Sequence, residues 1–250
     1  MNIETQLNDE LLKQLFADDK QYSLCLEEYK SLARMYAYNE NAVAVLSDMK
    51  SNASYIYYGK VALKLALGDA GTEEFIHSIW EDKILNRIHP DDLVEKQLQE
   101  LSFFHFLKGI PLKNRGDYHI VNHIRMLDVD GVYRPVLHRM FYVAIFPNGS
   151  VWLALCLYNL SSDDSFGSSV INTADGRSFE LEKTTGKNLL SKREKEVLRL
   201  INSGIASKKI AQMLSISANT VNRHRQNILE KLQVNNSIEA CRIAKGLKIL

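Results

Sequence analysis

Asn219, Asn222, Arg223 and Gln226 stand at i, i+3, i+4 and i+7, a spacing that lines one face of a helix with long polar side chains. Their chemistry suits base reading in duplex DNA. Arg grips guanine O6 and N7 through two hydrogen bonds, and Asn or Gln pairs with adenine N6 and N7. Val221, Ile228 and Leu232 form the opposite, apolar face of the same stretch, so it has one side to bury and one to present. Lys192, Lys208, Lys209 and Arg225 lie around it in sequence and are candidates for phosphate contacts, which position a protein on DNA without reading bases. Other chemistries find little footing. The sequence contains no GxGxxG, P-loop, HExxH or GxSxG motif. Cys25, Cys156 and Cys241 are far apart and form no CxxC pair, which predicts neither a disulfide framework nor a zinc site. Asp91-Asp92 and Glu73-Glu74 read as helix N-termini, where carboxylates complement the dipole. Catalysis, a resident cofactor and a metal are therefore not expected.

The charge distribution agrees with a polyanion partner. Across 250 residues the net charge is +1, but residues 183–250 carry fourteen Lys or Arg against four acids, a net +10. Residues 1–182 hold 17 basic and 26 acidic residues, a net −9. An acidic part joined to a strongly basic tail predicts a nucleic-acid module attached to something else. Residues 161–188 are rich in Ser, Asp, Gly and Thr, the composition of turns and linkers, with a short extended piece at 178–181. The longest apolar stretches, 141–146 and 151–158, are too short to span a bilayer, and no basic-then-apolar leader opens the chain. The expected location is the cytoplasm, with no membrane partner.

Several helices must position the reading face. Ser191-Lys-Arg-Glu194 is a capping box ahead of the stripe Val197, Leu198 and Ile201, and Gly204 is suited to end that helix. A short helix over about 207–214 buries Ile210, Ala211 and Leu214. Ser-Ile-Ser then turns into the recognition stretch, with Ser217 as N-cap and Ile216 stapled to Val221. Two helices joined by a tight turn predict a helix-turn-helix whose second helix lies in the major groove. A fourth helix over about 236–249 carries Ala240, Ile243, Ala244 and Leu247 on one side.

The run Leu190-Ser-Lys-Arg-Glu-Lys-Glu-Val-Leu-Arg-Leu-Ile, Gly204, Ser-Lys-Lys-Ile-Ala-Gln-Met-Leu-Ser-Ile-Ser, Thr220-Val-Asn-Arg-His224 and Asn227-Ile-Leu-Glu-Lys-Leu resembles the LuxR/NarL/FixJ-type helix-turn-helix over about 60 residues. The resemblance implies a four-helix DNA-binding domain of a bacterial transcription regulator, placed behind a signal-receiving domain. It implies that Thr220 and His224 hold the recognition helix, that positions 222, 223 and 226 face DNA, and that the fourth helix serves in dimer contact. The chain has Asn222 where the family usually has Lys, which removes a usual basic contact.

Ahead of the tail, Ile3, Leu7, Leu11 and Leu15, with Leu12 and Phe16, predict one amphipathic helix; Leu26, Tyr29, Ala33 and Tyr36 predict another. Strands are expected over 43–46 and 55–58, then helical segments to about residue 108. Three longer strands follow over 117–128, 133–146 and 150–159, with turns at Asp130-Gly131 and Pro147-Asn148-Gly149. That order predicts an α+β unit with helices on one face of an antiparallel sheet. Alternation puts Tyr118, Ile120, Ile124 and Met126 on one face of the first long strand, and Asp117, His119, His123 and Arg125 on the other. The two histidines are expected at the surface rather than as haem or metal ligands. The last strand is apolar on both faces, Trp152, Ala154 and Cys156 opposing Val151, Leu153 and Leu155, so both faces need cover, from the N-terminal helices or a second subunit. Cys156 reads as a small core residue.

Ile88-His-Pro-Asp-Asp92 before a helix, Ile124-Arg125, Asp130-Gly131-Val-Tyr-Arg134 and the Gly149 turn resemble a PAS domain over about residues 40–160. PAS domains hold small molecules between sheet and helices, or dimerise. The expected organisation is N-terminal helices over 1–40, a PAS-like sensor and dimerisation domain over 41–162, a linker over 163–186, and the helix-turn-helix domain over 187–250. The expected function is that of a homodimeric, sequence-specific DNA-binding transcription regulator. Duplex DNA, RNA polymerase and a small-molecule effector of unknown identity are its expected partners. The alternatives for the front domain are a ligand-free dimerisation scaffold and an autoinducer-type binding domain. The expected DNA contacts are Lys192, Lys208, Lys209, Ser217, Asn219, Thr220, Asn222, Arg223, His224, Arg225 and Gln226.

Overall fold

The computed structural model describes residues 3–16, 21–163, 167–181, 190–232, 234–246 and 249–250. The chain divides into two compact units. One comprises Met1–Asn8, Gln97–Ser102 and Glu182–Leu250; the other comprises Asp9–Lys96 and Phe103–Leu181.

The second unit is built on an eight-stranded antiparallel sheet. Its strands are β1 (Val43–Asp48), β2 (Ala53–Tyr58), β3 (Glu73–Ile76), β4 (Tyr118–Leu127), β5 (Tyr133–Ile145), β6 (Val151–Leu160), β7 (Gly167–Asn172) and β8 (Ser178–Phe179). They lie in the order β3-β2-β1-β6-β5-β4-β7-β8. Strand pair, helices and three-stranded meander thus follow in the expected sequence, and the meander closes back on the first hairpin, with Val43 opposite Tyr158. Gly131 (φ 75°) and Gly149 (φ 88°) supply the left-handed residues that the two meander turns need. Asp128 organises the first of these turns. Its carboxylate accepts from Arg134 Nε at 2.8 Å and from the backbone N–H groups of Asp130 and Val132 at 2.8 and 3.0 Å. Those donors hold the carboxyl far below the usual carboxylate range.

Helices cover both faces, not one. On the inner face lie the short α3 (Val61–Lys64) and α4 (Asp82–Leu85). Their Val61, Ala62, Ile84 and Leu85 join Val43, Val45, Ile56, Tyr58, Ile124, Met126, Val136 and Tyr158 in one core. Leu93, from α5 (Pro90–Lys108), packs against the same core. On the outer face α2 (Gln21–Asn39) sets Ala33 and Ala37 against Ala44, Leu46, Tyr57, Leu153, Leu155 and Leu157. The expectation that β6 needs cover on both sides is met by α2, since a strand with two apolar faces loses stability on whichever face stays wet. Gly59, just after β2, sits where the end of α2 meets the start of β1. A Cβ there would lie 2.5 Å from the carbonyl oxygens of both Ala37 and Ala42.

Several details depart from the sequence reading. The first helix, α1 (Ile3–Leu12), buries Ile3, Leu7 and Leu11, but Leu15 lies beyond it and is 85% exposed. There the backbone serves a different purpose, the Leu15 carbonyl accepting from Asn148 Nδ2 and Ser150 Oγ. Glu73 and Glu74 open strand β3 rather than a helix; their charges pair with Arg34 and with Lys83 and the Tyr58 hydroxyl. Part of the expected linker is sheet: β7 pairs with β4 and buries Val170 completely. The 164–166 and 182–186 parts of that linker lie outside the described residues. Trp152 packs with Leu153, Leu155 and Leu157 rather than with Cys156, beside the register shifts in the β5–β6 pairing. His119 is not a surface residue. It is 8% exposed, stacked on Phe141 at 4.5 Å, and burial with the nearby Arg139 depresses its pKa. His123 is part-buried, its Nδ1 3.9 Å from Asp163.

Candidate nucleic-acid interface

The basic tail folds as α6 (Lys192–Asn202), α7 (Ser207–Met213), α8 (Ala218–Leu232) and α9 (Ser237–Gly246). Helix α8 packs on α6 and α7, and α9 on α6 and α8. The core is Val197 and Leu198 from α6, Ile210 and Ala211 from α7, Val221, Ile228 and Leu232 from α8, and Ala240, Ile243 and Ala244 from α9. Leu247, expected on that last face, lies outside the described residues.

Local hydrogen bonds fix where the recognition helix begins. Ser191 Oγ accepts from Glu194 N, and Glu194 Oε2 accepts from Ser191 N at 2.7 Å, completing the capping box on α6. Gly204 (φ 75°) follows the last turn of α6, and Ser215 (φ 54°) turns the chain between α7 and α8. Arg193 Nη2 donates to the Leu214 carbonyl at 2.6 Å, closing the end of α7 against α6. Ser217 Oγ accepts from Thr220 N at 3.0 Å and lies 2.9 Å from Thr220 Oγ1, so both hydroxyls are spent on starting α8.

Glu194 has a second role. Although 3% exposed, it meets Lys231 Nζ at 3.0 and 2.7 Å, which bolts the far end of α8 to the start of α6. Burial opposes its charge, but the Lys231 ammonium and the Ser191 donors prevail and hold the carboxyl below its ordinary range.

This framework leaves Asn219, Asn222, Arg223 and Gln226 exposed on one face of α8. Lys192, Lys208 and Lys209 are exposed at the starts of α6 and α7. Among the described residues these three lysines and Arg223 have no ion-pair partner. Three other expected contacts serve the domain itself. Thr220 belongs to the cap. His224 is half-buried, with its Nδ1 inside the domain. Arg225 donates from Nη1 to Ser207 Oγ and from Nη2 to Ser237 Oγ, both at 2.9 Å, tying α8 to the first residues of α7 and α9. Sequence spacing missed the Arg193 and Lys231 ties, because both depend on partners 21 and 37 residues away.

Residues 188–244 match the family of bacterial regulatory proteins called the luxR family. The transcriptional regulatory protein DesR of Bacillus subtilis is 55% identical over 53 residues, which are 21% of this chain and 27% of DesR, so that likeness spans little more than a quarter of the relative. The oxygen regulatory protein NreC of Staphylococcus carnosus is 27% identical over 197 residues, 75% of each chain. Among solved structures, the phage VqmA–DPO complex is similar over 91% of this chain and 92% of its own, at 18% identity and a TM-score of 0.30. No helix among the described residues is long and apolar enough to cross a membrane.

Proposed function

With its residues 188–244 a luxR-family helix-turn-helix domain, we propose that this chain is a sequence-specific DNA-binding regulator of transcription, controlled by its sheet-built front domain. The observation that carries the reading is the bare polar face of α8, Asn219, Asn222, Arg223 and Gln226, held at a capped helix start and flanked by unpaired lysines. Such a face suits the major groove, with α7 crossing the backbone. The regulator acts in the cytoplasm, contributes no catalytic step, and contacts RNA polymerase when on DNA. The front domain receives a small molecule on the inner face of its sheet, as the PAS resemblance implies. The working form is a homodimer, because one module has a small interface and two half-sites a helical turn apart supply the missing affinity. Leu32, Met35 and Tyr38, all exposed along α2, support pairing through the front half.

Binding of the whole chain to duplex DNA, followed by fluorescence anisotropy across a salt series, tests the reading. Affinity falls steeply with salt because neutralised phosphates release counterions, each contact adding about −0.9 to the log–log slope. Lys208→Ala with Lys209→Ala is expected to flatten that slope by roughly 2 per module and to weaken all sequences alike. Salt-independent binding, or none at low salt, overturns the reading.

Arg223→Ala separates base reading from phosphate contact. The expected loss is about 1–3 kcal/mol at one operator position, with relaxed preference there. Uniform weakening at every site assigns Arg223 to the backbone instead.

A further inference from the structure

Once the internal ties of the helix-turn-helix domain are subtracted, its recognition helix has few cations left for DNA. Arg225 commits both terminal nitrogens to Ser207 and Ser237, at 2.9 Å each. Lys231 is held by Glu194 at 2.7 Å, and His224 is half-buried with its Nδ1 inside the domain. Of the basic side chains on α8, Arg223 alone is exposed and without an ion-pair partner among the described residues. The exposed Lys192, Lys208 and Lys209 stand at the starts of α6 and α7, placed for the phosphate backbone rather than for bases.

The residues around Arg223 are uncharged. Asn219, Asn222 and Gln226 are exposed, and among the described residues their carboxamides make no hydrogen bond within the domain. A free carboxamide sets a donor beside an acceptor, the complement of adenine N7 and N6. Ala218, the first residue of α8, is exposed too, and its methyl group suits the methyl of thymine. No carboxylate lies on this stretch to accept from the amino group of cytosine; Glu230, on the same side, stands a full turn beyond Gln226. At about 1.5 Å per residue, Asn219 to Gln226 runs roughly 10 Å, some three base-pair steps of about 3.4 Å. Arg223 stands within that span, with Asn219 and Asn222 before it and Gln226 after it.

Resting on the reading of this chain as a DNA-binding regulator, we infer that each α8 selects an A·T-rich half-site with a single G·C pair set inside it. Arg223 takes the guanine through O6 and N7, the carboxamides take adenines on either side, and Ala218 lies against a thymine methyl. A G·C-rich half-site is the wrong partner. A second guanine would set its two acceptors against a carboxamide, whose own oxygen would then be left unsatisfied and repelled.

Affinity selection of random duplexes by the whole chain, read by sequencing, tests this with Arg223→Ala, Asn222→Asp and Gln226→Glu. The wild type is expected to enrich half-sites with a core of about four base pairs, one G·C pair flanked by A·T pairs. Exchanging that G·C pair for A·T weakens the wild type about tenfold or more and Arg223→Ala hardly at all. Asn222→Asp and Gln226→Glu each move one selected base from adenine to cytosine, because a carboxylate accepts from the cytosine amino group. Both replace an exposed amide by an acid of the same shape, so they report base choice even if Arg223→Ala melts early. A core with two or more G·C pairs, or one that neither acid variant changes, overturns the inferred class and leaves the regulator reading standing. Salt-dependent binding that enriches no sequence removes the class and sequence specificity together. No binding even at low salt removes the regulator reading as well.

Discussion

Glu194→Ala is expected to lower the stability of the helix-turn-helix domain by about 2–3 kcal/mol, a fall of roughly 10–20 °C in its melting temperature. One carboxylate satisfies the Ser191 N–H, completes the cap of α6 and neutralises Lys231 at the other end of α8. Removing it strands a lysine that is only 24% exposed, the situation in which breaking an ion pair costs most. The cost is set at the lower end of that range because water still reaches the lysine. The same carboxyl makes the domain acid-sensitive. Its folded pKa is depressed, so its contribution is complete above the unfolded value of about 4.3 and is lost as pH falls through the lower folded value. Circular-dichroism melts of wild type, Glu194→Ala and Glu194→Gln over that acid range check both claims. Equal acid sensitivity in all three would remove the pH argument.

Gly59→Ala is expected to cost about 3 kcal/mol in the front domain, as overpacking against backbone does. The methyl group would enter a gap bounded by the Ala37 and Ala42 carbonyls and the Asn41 carbonyl carbon, all within 2.6 Å, and none of these can swing aside as a flexible side chain would. Relief would have to come from displacing the end of α2, which carries Ala33 and Ala37 of the outer core. Gly116→Ala is the control, because nothing lies within 4 Å of a Cβ there. Differential scanning calorimetry of the two variants should separate them clearly; equal melting temperatures would mean that α2 yields without cost.

The tail was legible because its determinants are local. Ser191 and Glu194 are three residues apart, the Val221, Ile228 and Leu232 stripe follows the helical period, and Gly204 and Ser217 mark helix ends. What escaped was tertiary. Arg225 has the residue type of a phosphate contact, and only its placement beside Ser207 and Ser237 shows it tying helices together. In the front domain the long strands announced themselves by length and alternation. The short polar β3 and β7 did not: paired glutamates suit a helix N-terminus as well as a strand, and a Gly-Ser-Ser run looks like linker until a neighbouring strand takes it in. The buried contacts of Glu81 with Ser47 and Ser54 were invisible for the same reason, since partners 34 and 27 residues apart leave no trace in local spacing.

That sheet order also dictates a timetable. The first hairpin, β1–β2, has its inner neighbour in β6, so Val43 waits for Tyr158 to be made before the sheet can be joined. Closing so long a loop is entropically slow, and it places the front domain among folds rich in non-local pairing. On the ribosome the hairpin emerges early with the β1 edge unpaired, an invitation to wrong strand partners that lasts until the meander arrives. The helix-turn-helix tail comes last and depends on short-range contacts, so it can fold quickly once released. A nascent chain stalled before residue 151 should therefore be a client for chaperones, whereas one stalled beyond the end of β7 should already hold a protease-resistant sheet.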